Sequence, residues 1–203
     1  HALYARVSAV GSGTLRRDAF DTGHTGRLSM EESVVGVRWD LPDGASQLDL
    51  SVGAQTYTLG TGMLIANGAS NGFTRGAMKL GPRKAFAQTA IARLTSGAWS
   101  TEAFYLDPNE NPDNDSHTRL AGANLVYRTA ADRYAGLAYG QVTRSDAAYP
   151  QAAPGGIGAP TILPGAREGL RFVYGYGRMP ILEGTVPKAW VGVDLAQQWN
   201  ANF

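Results

Sequence analysis

Arginines stand in this sequence at positions where a β-strand would turn them away from its apolar side chains. Arg6, Arg38 and Arg93 each lie between two apolar residues. Because successive side chains of a strand point to opposite faces, these arginines would share the face that the apolar residues leave. Guanidinium groups hold carboxylates through charged hydrogen bonds, and rings of arginine favour anions in pores. The pattern therefore predicts a surface that accommodates anionic or polar solutes.

Carboxylates fall in the same phase as these arginines and reduce the positive potential of the surface. Two interpretations stay open: the arginines select anions, or they are ordinary salt-bridge partners that brace a wall. A register error of one residue would turn each of them to the opposite face. The residues predicted to line the surface, as pore-lining groups, are Arg6, Arg38, Asp40, Asp49, Arg93, Glu102, Arg128, Arg171 and Asp194.

An acidic stretch at residues 107–115 carries oxygen ligands at alternating positions. Hard cations such as Ca²⁺ take carboxylate and amide oxygens at such a spacing. The stretch has no central glycine and no closing glutamate, and two prolines stiffen it. These departures favour a solvated loop, although calcium binding stays open, and we predict no metal site and no cofactor. The alternating positions are Asp107, Asn109, Asn111, Asp113 and Asp115.

Covalent catalysis has weak support in the sequence. The chain has 0 Cys and 3 His, and it contains neither a zinc-binding His pair nor a nucleophile elbow. Asp115, Ser116 and His117 are adjacent, but neighbouring residues of an extended chain point to opposite sides and would not share a site. The glycine run at 153–158 lacks the lysine of a phosphate-binding loop and is typical of a flexible external loop. We therefore predict that the protein is not an enzyme.

The composition excludes several classes of protein. Only 17% of the 203 residues are charged, Gly accounts for 26 residues, and the formal net charge is +1. Such a chain has neither the helix formers of a coiled coil nor the basic clusters of a nucleic-acid-binding protein. No window approaches the roughly 18 apolar residues of a membrane-spanning helix. A transmembrane β-barrel needs only alternating strands of about 10 residues, so the composition leaves a barrel open.

Alternation of apolar and polar residues dominates the chain and indicates strands. No apolar stripe at helical spacing persists, and 60–83 is the one segment where a short helical turn is expected. Most of the alternating segments are longer than the usual strand of about 5–6 residues. The nine segments are 3–12, 33–41, 47–57, 85–95, 98–106, 118–128, 133–144, 168–178 and 189–198.

The connections between these segments alternate in length. Long loops at one end and short turns at the other are typical of an up-and-down outer-membrane barrel. Asp-Gly and Ser-Gly in the short turns suit tight hairpins because glycine tolerates a positive φ. The long connections are 13–32, 58–84, 107–117 and 145–167, and the short ones are 42–46, 96–97 and 129–132.

These patterns predict an all-β fold, an antiparallel up-and-down transmembrane β-barrel or a partial barrel of about nine strands. The apolar face would contact lipid and the ionic face would contact enclosed water, because a packed core would not hold so many charges. In segment 168–178 this reading places Phe172, Tyr174 and Tyr176 toward lipid and Arg171 toward water. Residues 1–203 would form a single barrel domain that is a fragment of a larger barrel.

Three segments resemble the alginate export family of outer-membrane β-barrels. Residues 53–55 read Gly-Ala-Gln, residues 73–76 read Phe-Thr-Arg-Gly, and residues 120–127 read Leu-Ala-Gly-Ala-Asn-Leu-Val-Tyr. The first two stand where the family has a Gly-Arg-Gln and a Phe-Asp-Gly motif. Ala54 replaces the family's usual arginine, and Thr74-Arg75 replaces its aspartate-centred pattern. The resemblance implies a monomeric barrel of about eighteen strands that lets an anionic polysaccharide or a related solute cross the outer membrane.

The predicted function is therefore a channel, or porin, in the outer membrane of a Gram-negative bacterium. It would allow passive passage or export of an anionic polysaccharide or of small polar solutes through an arginine-containing lumen. The predicted partners are outer-membrane lipid and the solute itself, without nucleic acid. The alternative is a soluble all-β carbohydrate-binding module, in which exposed Tyr and Trp side chains would stack on sugars.

Overall fold

The computed structural model describes residues 1–13, 26–69, 83–182 and 189–200. Eleven strands and two single-turn 3₁₀ helices account for the regular structure of these residues. The 3₁₀ helices are Pro112–Asn114 and Pro154–Gly156. The strands are β1 Ala2–Gly13, β2 Gly26–Asp40, β3 Ser46–Ala54, β4 Gln88–Ser96, β5 Trp99–Asp107, β6 Arg119–Ala130, β7 Arg133–Arg144, β8 Tyr149–Gln151, β9 Thr161–Leu163, β10 Leu170–Leu182 and β11 Ala189–Asn200.

Nine of the strands form one antiparallel sheet in chain order, and β8 and β9 form a separate small hairpin between β7 and β10. The predicted all-β, up-and-down antiparallel arrangement is confirmed, and all nine predicted segments fall on the nine long strands. Within the described residues β1 pairs only with β2, and β11 pairs only with β10. The sheet therefore has two open edges and is not closed into a barrel.

Each short turn follows from local chemistry. In the β2–β3 turn the Asp43 carboxylate accepts hydrogen bonds from the amides of Ala45 and Ser46 and from the Ser46 hydroxyl. These bonds hold the pKa of Asp43 below its usual value. The β4–β5 turn has only two residues between its last cross-strand pair, and Gly97 adopts a φ of 54° there. Short connections thus lie at one end of the sheet.

The long connections lie at the other end, which confirms the predicted alternation for the loops that the structure describes. Residues 55–87 join β3 to β4, with 70–82 outside the described part. Residues 60–69 form turns and bends, so the short helical turn expected over 60–83 is not present in the described portion. We call residues 55–69 and 83–87 the inserted loop, because they fold back over one face of the sheet. That face is the inner face, and the opposite one is the outer face.

The hydrophobic core lies between the inserted loop and the inner face. Tyr57, Leu59 and Phe86 of the loop are buried, and Leu59 has no exposed surface. They pack on apolar side chains of four strands, β4, β5, β7 and β10. The strand residues in this cluster are Ile91, Phe104, Leu106, Ala138, Phe172, Tyr174 and Tyr176.

Glycines on the inner face allow the aromatic rings to lie flat on the sheet. A Cβ atom at Gly136 would overlap the ring of Tyr176, and one at Gly36 would overlap the ring of Tyr4. Both glycines have ordinary extended backbones, so the close approach of a neighbouring ring explains the missing side chain. The glycine-rich composition is partly explained by this packing.

The side chains of β10 point to the faces opposite to those predicted. Phe172, Tyr174 and Tyr176 are 5%, 0% and 6% exposed and pack on the inner face, whereas they were expected on the lipid-facing side. Arg171, at the alternate position, is therefore on the outer face and pairs with Gln141 and Trp199. The alternation itself is correct, but the assumption that aromatic rings belong outside gave the strand the wrong face.

Candidate ionic site on the inner face

Four adjacent strands place charges of alternating sign in one row across the inner face. The strand register pairs Arg38 with Asp49, Asp49 with Arg93, and Arg93 with Glu102. Directly opposed positions on a sheet are close enough for side chains to interact, so the row can form ion pairs without bending the strands. The sequence alternation predicted that these four residues share a face, and the register confirms that placement.

The ion pairs in this row are direct. Arg38 donates through Nε and Nη2 to Asp49 Oδ2, at 2.9 and 2.7 Å. Arg93 donates through Nε to Glu102 Oε2 at 2.8 Å, and its Nη2 contacts the same oxygen. Tyr4 donates its hydroxyl to Asp49 Oδ1 at 2.6 Å. Each carboxylate is thus compensated by a guanidinium group of the neighbouring strand.

A β-bulge in β2 turns two consecutive glutamates toward the inserted loop. The pairing of β1 with β2 shifts between Ser8, which faces Glu32, and Ala9, which faces Met30, so Glu31 is the extra residue of the bulge. Glu31 is buried, and its Oε1 accepts the amides of Lys84 and Ala85 at 2.7 and 2.9 Å. Glu31 thereby holds residues 83–87, the returning limb of the inserted loop.

Glu32, the other glutamate of the bulge, forms an ion pair with Arg6 of β1. Its Oε1 is 3.0 Å from Nη2 of Arg6, and its Oε2 accepts a hydrogen bond from the Ser8 hydroxyl at 3.3 Å. Arg6 is therefore a third guanidinium on the inner face with a carboxylate beside it. Its placement agrees with the sequence prediction.

A polar cleft of about 410 Å³ opens between the row of charged side chains and residues 55–69, the outgoing limb of the inserted loop. Its volume lies in the range of small-molecule sites, roughly 300–1,000 Å³. The guanidinium-bearing side chains are half-exposed toward it, at 54% for Arg6, 48% for Arg38 and 52% for Arg93. Their partner carboxylates are shielded, at 14% for Glu32 and 7% for Glu102. The cleft consequently presents N–H donors more than carboxylate oxygens.

The inserted loop is tied to the sheet by tyrosine and threonine hydroxyls. Tyr57 donates to Glu102 Oε1 at 2.7 Å, and burial together with the Glu102 charge raises the pKa of Tyr57, so its hydroxyl remains a donor. At the loop tip Thr61 donates to Asp194 Oδ1 at 2.5 Å. Tyr174 contacts the same aspartate oxygen. Asp194 is thus on the inner face, as predicted, and holds the loop across the sheet.

Two further arginines lie near the short-turn end of the inner face. The Arg128 guanidinium lies 4.4 Å from the Tyr134 ring centroid, and that of Arg178 lies 3.5 Å from the Trp190 ring centroid. No carboxylate of the described residues forms a salt bridge with either arginine. Asp40, also predicted for this surface, accepts a hydrogen bond from Gln47 at 2.7 Å.

Eight of the nine predicted residues have the phase of the inner face and Arg171 does not, and their role in lining a pore stays a prediction. The Arg171 side chain has the phase of Val173 and Val193 on the outer face, where no cleft residue lies. Tyr57 and Thr61 were not predicted because they lie in the inserted loop, where no period of 2 applies. Tyr4 has the phase of Arg6, but a hydroxyl carries no sign that it will contact Asp49. Glu31 was not predicted because a bulge breaks the period of 2.

The acidic stretch and its neighbours form a hydrogen-bonded junction of loops. Asp115 accepts the amide of His117, and His117 Nδ1 lies 2.8 Å from Asp146 Oδ2. Ser116 is bonded to Glu110 at 2.7 Å and belongs to no nucleophilic arrangement with His117. Within the described ranges no group of three or more His, Cys, Asp or Glu side chains is placed to hold a metal ion. Phe73–Gly76, the family-like motif, lies outside the described residues.

No family model, no curated protein and no solved structure matches this chain. The described residues contain no helix that is both long and apolar enough to span a membrane.

Proposed function

We propose that this chain forms the wall of an outer-membrane channel for the passive passage of polar solutes. The observation that carries the proposal is the opposite chemistry of the two faces. The inner face bears paired charges and a polar cleft, whereas the outer face exposes large apolar side chains. Among the exposed residues are Leu3 at 80%, Val7 at 69%, Leu137 at 57% and Leu195 at 70%.

The outer face also has the aromatic distribution that membrane interfaces favour. Trp99 and Tyr127 pair near the short-turn end, with ring centroids 4.8 Å apart. Tyr105 and Trp199 lie on the same face near the long-loop ends of β5 and β11. Trp99 and Tyr105 are six residue steps apart, about 20 Å of strand, which is comparable to the apolar band of roughly 25 Å on outer-membrane barrels. Interfacial Trp and Tyr rings separated by apolar residues support a lipid-facing wall.

The exposed outer face and the inserted loop together favour the channel over the soluble alternative. It covers the inner face with Tyr57, Leu59 and Phe86, yet leaves the polar cleft open beside it. A soluble module would expose the apolar outer face to water, where a continuous apolar surface promotes association. In a membrane the same surface is matched to acyl chains, and the loop narrows an enclosed aqueous path.

Extraction and conductance test this proposal together. The protein should require detergent for extraction and should migrate faster on gels before heating than after it. In planar bilayers it should give discrete conductance steps. A protein that stays monomeric in detergent-free buffer and gives no conductance would contradict the channel and favour the carbohydrate-binding module.

A further inference from the structure

We infer that the polar cleft is a subsite for neutral, polyhydroxylated solutes, such as the rings of uncharged sugars, rather than for anions. This inference rests on the proposed passage of polar solutes and names the class of solute that the site would take. Three observations support it. The charges around the cleft are paired, guanidinium N–H donors remain available there, and the inserted loop carries hydroxyl groups beside them.

The charges at the cleft cancel in pairs. Arg6, Arg38 and Arg93 supply three positive charges, and each lies within 3.0 Å of a carboxylate oxygen. An approaching anion would meet each guanidinium together with the carboxylate paired to it. Long-range attraction is therefore small, and the anion would still lose its own hydration on entry. Unpaired arginine rows attract anions because this cancellation is missing.

The cleft nevertheless offers directional hydrogen bonds. Arg38 and Arg93 each use Nε and Nη2 on their carboxylate, which leaves Nη1 with no hydrogen bond to any described residue. A guanidinium group has five N–H donors, so these pairs leave donors directed away from the carboxylates. A neutral hydroxyl oxygen can accept such a bond without the cost of burying a charge.

The opposite wall of the cleft complements these donors. Thr56 and Thr58 of the inserted loop line it with hydroxyls, and both residues are exposed. The hydroxyl protons of Thr56 and Thr58 are donated to Glu32 Oε1 and to the Ala66 carbonyl, so both oxygens keep lone pairs that accept hydrogen bonds from the cleft. Each hydroxyl of a sugar ring also donates one hydrogen bond and accepts others. The two walls thus supply both partners that such a group needs.

A matched pair of sugars tests the assignment. Glucose and glucuronate differ in that a hydroxymethyl group of the first is a carboxylate in the second. Binding to the detergent-solubilised protein is measured by NMR saturation-transfer titration, which does not depend on conduction. The wild-type protein should bind glucose more tightly than glucuronate. Tighter binding of glucuronate, or no saturable binding of glucose, would overturn the inference.

The variant Asp49→Asn separates charge from shape. The amide keeps an acceptor for Tyr4 but leaves Arg38 uncompensated, so the affinity for glucuronate should rise about tenfold, the effect of one hydrogen bond to a charged group. Glucose affinity should stay within about twofold, since no hydroxyl partner is removed. Asp107→Asn is the control, because Asp107 pairs with Arg119 outside the cleft and should alter neither affinity. An Asp49→Asn protein with unchanged glucuronate affinity would refute the charge argument.

The outcome is separable from that of the channel proposal. Selective glucose binding without conductance in bilayers would keep the subsite and refute the channel. Conductance accompanied by a preference for glucuronate would keep the channel and refute the subsite.

Discussion

At the scale of single residues, the inner face depends on glycines as much as on charges. Aromatic rings cross from one strand to lie over a glycine of the next, as Tyr176 lies over Gly136 and Tyr4 over Gly36. This arrangement brings the Tyr4 hydroxyl to Asp49 and the Tyr176 hydroxyl to Asn124 Oδ1 at 3.0 Å. The small residue and the polar contact are thus parts of one feature, since a bulkier side chain would lift the ring from its partner.

Gly136→Ala should therefore destabilise the protein. The new Cβ would overlap the Tyr176 ring, and such overpacking costs about 1–3 kcal/mol in the free energy of unfolding. Gly175→Ala is the matched control, because no atom lies within 4 Å of its Cβ position and its φ is ordinary. The control should be neutral or more stable by about 0.5 kcal/mol, as a strand glycine is replaced. Urea unfolding followed by tryptophan fluorescence measures both, and equal effects would contradict the packing argument.

At the scale of secondary-structure elements, the strands were predictable and the inserted loop was not. Alternation reveals strand positions because the apolar side chains of a half-buried strand recur at every second residue. In β2, Val35 and Val37 lie on the outer face and Arg38 on the inner face. The burial of Tyr57 and Leu59 depends on contacts with β5 and β10, far away in the sequence, and leaves no local pattern. For the same reason the outward assignment of Phe172 was wrong, since only the loop above it makes the inner face apolar there.

The loop's position should depend on Glu31. Glu31→Ala removes the acceptor of the Lys84 and Ala85 amides, so the returning limb should open more often. Two lost hydrogen bonds correspond to about a tenfold higher population of the open form, and trypsin should cleave after Arg83 and Lys84 about tenfold faster. Glu168→Ala, in the β9–β10 connection, should leave the cleavage rate unchanged. Wild-type cleavage rates in the Glu31→Ala protein would show that other contacts hold the limb.

At the scale of the whole molecule, the two faces of the sheet differ in polarity and therefore suit different surroundings. The nine-stranded sheet has charges and a covering loop on one side and exposed Leu, Val, Trp and Tyr on the other. The composition alone did not distinguish a membrane wall from a soluble sheet, because both alternate in the same way. The structure adds that the core lies between sheet and inserted loop, on the ionic side, and that no second layer covers the outer face among the described residues.

A pair of arginine substitutions tests the environment of the outer face. Leu137 and Met179 are both 57% exposed there, but Leu137 lies in the middle of the sheet and Met179 near the short-turn end. In a bilayer Leu137→Arg should cost roughly 2–4 kcal/mol, whereas Met179→Arg should cost about 0–1 kcal/mol. In water the two changes should be equally mild, within about 0.5 kcal/mol. Folding into lipid vesicles, followed across a urea series, measures the difference, and equal costs would contradict lipid contact.

The odd number of strands in the sheet has a consequence for any seam between its edges. Neighbouring strands alternate in direction, so the first and the ninth both run toward the long loops. If β1 and β11 met directly, they would form a parallel ladder, with slanted bonds and weaker pairing per residue. A seam that is antiparallel throughout requires an odd number of additional strands between them. The parity of the sheet thus decides which kind of hydrogen-bond ladder can complete a ring.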